Sequence, residues 1–152
     1  MNYRFDLSTG LSEIKGSLIK VSEHFDSSEL NCHYCNQPGV KPELIANLET
    51  IRAAMGMSID VHSGYRCAHH PIEAKKKTPG QHTMGIGADI SVKGMGVEDL
   101  FLIIGGMPEI HGIGMNREVP YIHVDTRTGP GVYWKYTKSE KKPPWNGHWE
   151  TL

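Results

Sequence analysis

The chain has 152 residues, enough for one domain with a core that needs neither disulfides nor metal to stand. Sixteen Lys and Arg against seventeen Asp and Glu leave a formal charge of -1, with no long run of either sign, which argues against nucleic acid as the main partner. No segment reaches the ~20 consecutive apolar residues of a membrane span, and the opening MNYRFDLSTGLSEIKGSLIK lacks the apolar stretch of a signal peptide. The expectation is therefore a soluble protein made in the cytosol, with a single domain over residues 1–152.

In chain order, the first forty residues are polar and turn-rich, and DSSEL at 26–30 reads as a short helix start. PELIANLETIRAAMG follows, with Leu44, Ile45, Leu48, Ile51 and Met55 at helical spacing, Pro42 suited to the first turn and Gly56 to the stop. SIDVHS at 58–63 alternates as a half-buried strand does, with Ile59 and Val61 on one side and Asp60 and His62 on the other. The stretch GYRCAHHPIEAKKKTPGQH carries turn signals but no period, and an irregular segment of that length inside a domain is usually functional or mobile. IGADISV at 86–92 reads as a strand with Ile86, Ala88, Ile90 and Val92 on one face and Asp89 and Ser91 on the other.

VEDLFLIIGG then reads as a short helix, IHGIGM as a strand, and YIHVDTR as a strand that turns Ile122 and Val124 one way and Tyr121, His123 and Asp125 the other. VYWKYT at 132–137 is expected as an edge strand, and the tail 138–152 as irregular. KKK at 75–77 and EKK at 140–142 read as solvated loops. Met84, Met95, Met107 and Met115 read as packing or loop residues. Trp134, Trp145 and Trp149 read as core and tail anchors, with an aromatic groove for glycan or peptide as the alternative. This order predicts an α+β domain, a mostly antiparallel sheet with helices on one face.

The other face would carry the chemistry. Nine histidines exceed what packing needs in a chain of this size and hint at metal or acid/base work. Asp89 and His123 share that polar face with Asp125, and His82 enters from the loop before the Asp89 strand. Two imidazoles and a carboxylate leave one zinc position for water. A single histidine on a strand is more often a hydrogen-bonded structural residue, so spacing alone leaves both readings open.

The segment HTMGIGAD, 82–89, resembles the SxHxxGxAxD motif of the zinc D-alanyl-D-alanine carboxypeptidase family, which includes phage endolysins and shares its fold with the hedgehog signalling domain. SGYR, 63–66, resembles the segment that precedes that motif, GIGM and YIHVDTR resemble its closing turn and strand, and LETIRAAMGMSID resembles its lead-in. The resemblance implies a hedgehog/DD-peptidase-like fold, with His82, Asp89 and His123 as ligands of one catalytic zinc. It also implies that Arg66 contacts substrate near the scissile carbonyl, a role its fork of donors suits; the alternative for Arg66 is a surface salt bridge.

The chain departs from the motif at Gly80, where the family has serine, and at Gly87, where it has alanine. The first change removes a hydroxyl, so His82 must be oriented by something else. Family branches also place a glutamate three residues before the last zinc histidine or a histidine two before it, and here those positions are Pro120 and Tyr121, neither able to take a proton from water as those groups do. The substitutes are Asp125, about 7 Å along the strand from His123, Glu118 in the preceding turn, and His111. Asp125 is slightly favoured as base, with support of a ligand or of Arg127 as an equal alternative. Tyr121 would line the substrate groove or donate a hydrogen bond to the intermediate.

Three cysteines are an odd count in a chain without an export signal. Cys32, Cys35 and Cys67, with His69 or His70, would make a second, structural zinc site tying the N-terminal segment to the active-site loop. One CxxC without a second pair favours the alternatives, free buried thiols or a disulfide formed after release from the cytosol.

Together these features and the resemblance imply a zinc metallopeptidase, of D,D- or L,D-carboxypeptidase or endopeptidase type, that hydrolyses bacterial peptidoglycan stem peptides. A phage lysis enzyme (endolysin) acting in the cell-wall compartment after release is expected over a secreted carboxypeptidase. The alternative is a non-catalytic zinc-binding module of the same fold, binding cell wall or serving as a phage structural part.

Overall fold

Asp26 begins the first helix of the described residues by a reciprocal cap: the Ser28 amide donates to its carboxylate (3.2 Å), and the Asp26 amide donates to Glu29 (3.0 Å). That box explains why only four residues, Ser27–Leu30, suffice for α1. The computed structural model describes residues 19–136 and 148–150. Helix α2, Pro42–Met55, starts on proline and ends on Gly56 in the left-handed conformation, φ 64°, which glycine adopts without steric cost. It buries Leu44, Leu48 and Ile51. Helix α3, Val97–Gly105, buries Leu100 and Ile104.

Six strands form one sheet in the order β1-β2-β4-β3-β5-β6. They are β1 Ile59–Ser63, β2 Gly87–Val92, β3 Gly112–Asn116, β4 Ile122–Asp125, β5 Val132–Tyr136 and β6 His148–Glu150. Neighbours are antiparallel except β3 and β5, which run parallel. The α+β architecture read from the sequence is the observed one. Apolar residues of one sheet face, among them Ile59, Ala88, Ile90, Ile113, Met115, Ile122 and Val124, join Leu44, Leu48, Ile51, Leu100 and Ile104 in one core. Both longer helices therefore cover the same face, and the opposite face is left to polar side chains.

Two expectations at the C-terminal end need correcting. VYWKYT is not an edge: β5 lies between β3 and β6, because the chain leaves β4 and returns beside β3 rather than continuing outward. The tail is not wholly irregular, since His148–Glu150 pairs with Tyr133–Lys135 as the outermost strand. Residues 1–18, the rest of the tail after Tyr136, Trp145 and the EKK run lie outside the described residues, and of Trp149 only the backbone pairing with Trp134 is described. Of the methionines, Met115 is buried in the core, Met95 and Met107 pack on it, and Met84 is exposed.

The β3–β5 pairing depends on a missing side chain. Gly114 pairs with Trp134, and a Cβ at Gly114 would overlap the indole ring. Gly114→Ala is expected to lower stability by roughly 1–3 kcal/mol, as overpacking against a rigid ring does. Gly105→Ala, whose Cβ would meet only ordinary contacts at 3.9 Å, should be neutral or stabilising by up to about 1 kcal/mol. Denaturant midpoints of the two variants check the contrast.

Candidate metal centre

Strand pairing sets the centre. Asp89 on β2 lies directly opposite His123 on β4, and cross-strand partners project to the same face. That face is the one away from the helices. His82 comes from a tight turn just before β2, closed by Met84 N to Gly80 O (3.0 Å) and Gly85 N to His82 O (3.2 Å). Gly85 is needed there: its φ is 78°, and a Cβ would overlap the Gly39 carbonyl oxygen.

His82, Asp89 and His123 each offer one ligand atom, all within 4.8 Å of one another. Asp89 Oδ1 is 3.3 Å from His82 Nε2 and 3.3 Å from His123 Nδ1. Ligands at about 2.1 Å around a tetrahedral zinc lie roughly 3.4 Å apart, so these separations suit the ion without rearrangement. The ring nitrogens that face away are also assigned. His82 Nδ1 lies 2.8 Å from the Gly64 carbonyl, which can only accept, so the proton sits on Nδ1 and the Nε2 lone pair is left for metal. His123 Nε2 lies 2.8 Å from Asp125 Oδ2, which draws the proton to Nε2 and presents Nδ1 to Asp89. Donor set, spacing and tautomers all fit zinc.

Asp125 sits on the far side of His123 from the metal-facing nitrogen and is fully buried. Arg127 donates Nε to Oδ1 (2.8 Å), Nη2 to Oδ2 (2.7 Å) and its own backbone N–H to Oδ1 (3.1 Å). Both oxygens are thus engaged, and this is the geometry of support for His123 rather than of a base open to water. Burial opposes ionisation of Asp125, but the hydrogen bonds from Arg127 and His123 outweigh it and hold the carboxyl well below the usual range. Burial likewise disfavours the charged Asp89; with both rings protonated, hydrogen bonds and charge from His123 and His82 more than compensate and hold its pKa far below the ordinary carboxylate value. His123 is disfavoured as a cation by burial, yet Asp125 and Asp89 on its two sides pull its pKa up.

Arg66 reaches the same carboxylate from behind. Its Nη2 donates to Asp89 Oδ2 (3.0 Å), Nη1 to Glu73 (3.2 Å) and Nε to Ser63 Oγ (3.0 Å). It is no surface ion pair: its side chain is only 14% exposed. Glu73, which sequence reasoning missed, is a hub. Its carboxylate also accepts from Lys76 (3.0 Å) and from Thr83 Oγ1 (2.9 Å), tying the irregular loop to the His82 turn. Burial raises the Glu73 pKa, and Lys76, Thr83 and Arg66 bring it below normal. Nothing in the pattern around Glu73 marks it, because its partners come from separate turns.

Gly80, where a serine hydroxyl is absent, borders the same hub: a Cβ there would lie 2.9 Å from Lys76 Nζ, the movable end of an exposed side chain, and 3.4 Å from Glu73 Oε1. At Gly87 an added Cβ would meet His123 Cε1 at 2.9 Å and Gln81 Cβ at 2.8 Å, so glycine gives the imidazole room.

Around the centre, Tyr121 packs on His62 (ring centroids 4.9 Å apart), and His62 Nε2 meets Ser91 Oγ at 2.7 Å. Burial and the Asp89 charge raise the Tyr121 pKa, so its phenol keeps its proton. Trp134 is buried, as expected of an anchor, but on the polar face rather than in the cluster under the helices, 5.5 Å from the His123 ring and 5.0 Å from the Arg127 guanidinium. Glu118 is exposed in the β3–β4 turn, its backbone N–H donating to Asn116 (2.8 Å). His111 has the strand parity of Ile113 and Met115, which enter the core, and its Nδ1 meets the Arg127 carbonyl at 3.0 Å. That places it off the site face. Among the described residues no helix is long and apolar enough to cross a membrane.

The polar sheet face and the turn beside it bring two imidazoles and an aspartate together at a spacing that suits a zinc ion. Residues 22–125 match the model of the family Peptidase M15, and the chain belongs to that family, whose members are zinc-dependent peptidases. No curated protein matches the chain.

Removing the support of His123 tests this geometry. Asp125→Asn is expected to weaken zinc binding about 10- to 100-fold, read by competition with a chromophoric chelator on protein whose circular dichroism is unchanged. Wild-type affinity in that variant would mean that His123 is oriented by other contacts.

Proposed function

We propose that the chain hydrolyses peptidoglycan stem peptides at a bond involving a D-amino acid, with His82 Nε2, Asp89 Oδ1 and His123 Nδ1 holding the zinc. The observation that carries this reading is the convergence of those three atoms with both imidazole tautomers already set for a metal. Zinc bound there would polarise the scissile carbonyl and lower the pKa of a water molecule toward neutrality.

The protein's own groups supply the rest. Asp125 and Arg127 lock the His123 ring, and Arg66 fixes Asp89 through the oxygen that does not face the histidines. Arg66 uses three of its five N–H donors on Ser63, Glu73 and Asp89, and the remaining two serve a substrate carbonyl or carboxylate. Tyr121, kept protonated beside Asp89, donates a hydrogen bond to the oxygen on which negative charge develops. With Asp125 enclosed by Arg127 and His123, Glu118 in the exposed β3–β4 turn is the remaining candidate to take the proton from water. The biological setting we propose is a phage lysis enzyme, on the sequence resemblance alone.

Incubating zinc-loaded protein with purified peptidoglycan should release new free amino groups or D-amino acids, and His82→Ala should abolish the release. Protein that binds zinc yet releases nothing is a non-catalytic module of the fold, as the absence of an acid/base group at Pro120 and Tyr121 would then explain. Glu118→Gln is expected to lower kcat by about 10²- to 10⁴-fold with little change in KM. Full turnover in that variant would remove Glu118 from the mechanism.

A further inference from the structure

The second cluster of metal-type ligands lies away from the zinc triad, around CHYC. Cys32, Cys35 and Cys67 bring their sulfurs within 4.8 Å of one another, although Cys67 is far from the other two in sequence. All three are free thiols. They meet because the chain after α1 runs against the SGYR segment: Tyr65 N donates to Leu30 O (2.9 Å), and a Cβ on Gly64 would meet that same oxygen at 2.5 Å.

The local backbone is arranged for thiolates. Residues 32–37 close a tight turn, with Asn36 N donating to Cys32 O (2.7 Å) and Cys32 N to Gln37 O (3.0 Å). Asn36 is left-handed, φ 61°, the one described non-glycine residue with positive φ, and a short polar side chain tolerates it. The turn points amides at sulfur. Cys67 N–H donates to Cys32 Sγ at 3.3 Å. Burial raises the Cys32 thiol, but the amides of Cys67, Cys35 and Tyr34 reverse this and bring it down to about 7. At Cys35 the Gln37 amide favours the anion, and burial with hydrogen bonds shared with Cys67 and Cys32 pushes the net pKa up. Three sulfurs within 4.8 Å of one another, with backbone amides turned toward them, make a donor set that a soft cation would fill.

Neither alternative uses this arrangement. A redox-active CxxC sits at a helix N-terminus, which lowers its thiol pKa, whereas CHYC lies in a turn after α1 has ended. A disulfide between any two of the three would leave the third sulfur without the neighbour the fold brings to it. His70 is not part of the cluster, contrary to the expected fourth ligand: its Nδ1 accepts the Ile72 N–H (3.1 Å) and its ring packs near Tyr34. His69 is exposed and also outside the cluster.

We propose that Cys32, Cys35 and Cys67 bind a second zinc ion as thiolates, with solvent as the fourth ligand, clamping the 30–37 turn onto the loop that carries Arg66. Zinc suits three soft sulfur donors. The clamp bears on the first centre, because Gly64 O orients His82 and Arg66 N–H donates to His82 O (3.2 Å). The proposal does not depend on the peptidase reading.

Metal content of the reduced full chain, equilibrated with zinc and freed of excess, decides it. About two zinc per chain are expected, falling to about one in Cys32→Ser/Cys35→Ser and, separately, in His82→Ala. Cobalt(II) should give a thiolate-to-metal charge-transfer band that survives His82→Ala and is lost in the double cysteine variant. Should that variant not fold, wild-type protein still answers: zinc should protect the three thiols from alkylation and a chelator should restore reactivity. Thiols alkylated equally fast with and without zinc, and no charge-transfer band with cobalt, would overturn the proposal, whatever the activity on peptidoglycan.

Discussion

Everything on the polar face turns on the buried carboxylate of Asp89. A lone ionised carboxylate at 7% exposure would be driven to take a proton, and this one is instead surrounded. One oxygen faces His82 and His123, and the other accepts from Arg66. The histidines arrive from a turn and a neighbouring strand, the arginine from the loop after β1. Each segment is therefore positioned against the same two atoms, which is why an irregular loop can hold still next to a sheet.

The support is layered. Gly64 and Asp125 set the histidine protons, Arg127 holds Asp125, Glu73 holds Arg66, and Trp134 lies against His123 and Arg127 together. Buried charges here come in opposite-sign chains rather than isolated pairs, Asp125 with Arg127 on one side and Glu73 with Arg66 and Lys76 on the other. Breaking one partner of such a pair leaves an unpaired buried charge, a larger penalty than the pair's own net contribution. The three ligand atoms already stand at a metal-binding spacing, the preorganisation that a metal centre uses.

Much of this was legible in the sequence because it follows from strand parity. Alternation in IGADISV and YIHVDTR places Asp89, His123 and Asp125 on one face, and helical spacing in PELIANLETIRAAM places Leu44, Leu48 and Ile51 in the core. What parity cannot say is distance behind a ligand. Asp125 shares the face of His123, but only the register of β4 beside β2 and the reach of Arg127 show that it stands behind the ring. Glu73 was invisible for a related reason: in an aperiodic loop no spacing rule links it to Arg66 or Thr83. The parallel placement of β5 depends on Gly114, whose lack of a side chain matters only once Trp134 is known to lie against it, and the pairing of the tail is likewise a tertiary outcome.

Position 80 carries one further consequence. The ammonium of Lys76 fills the space beside Glu73 into which a side chain at 80 would grow. A hydroxyl there and a lysine four residues earlier would compete for one small volume and one carboxylate. A side chain at 80 would therefore displace the movable end of Lys76, whose side chain is 42% exposed, and take over part of its contact with Glu73 without disturbing the backbone.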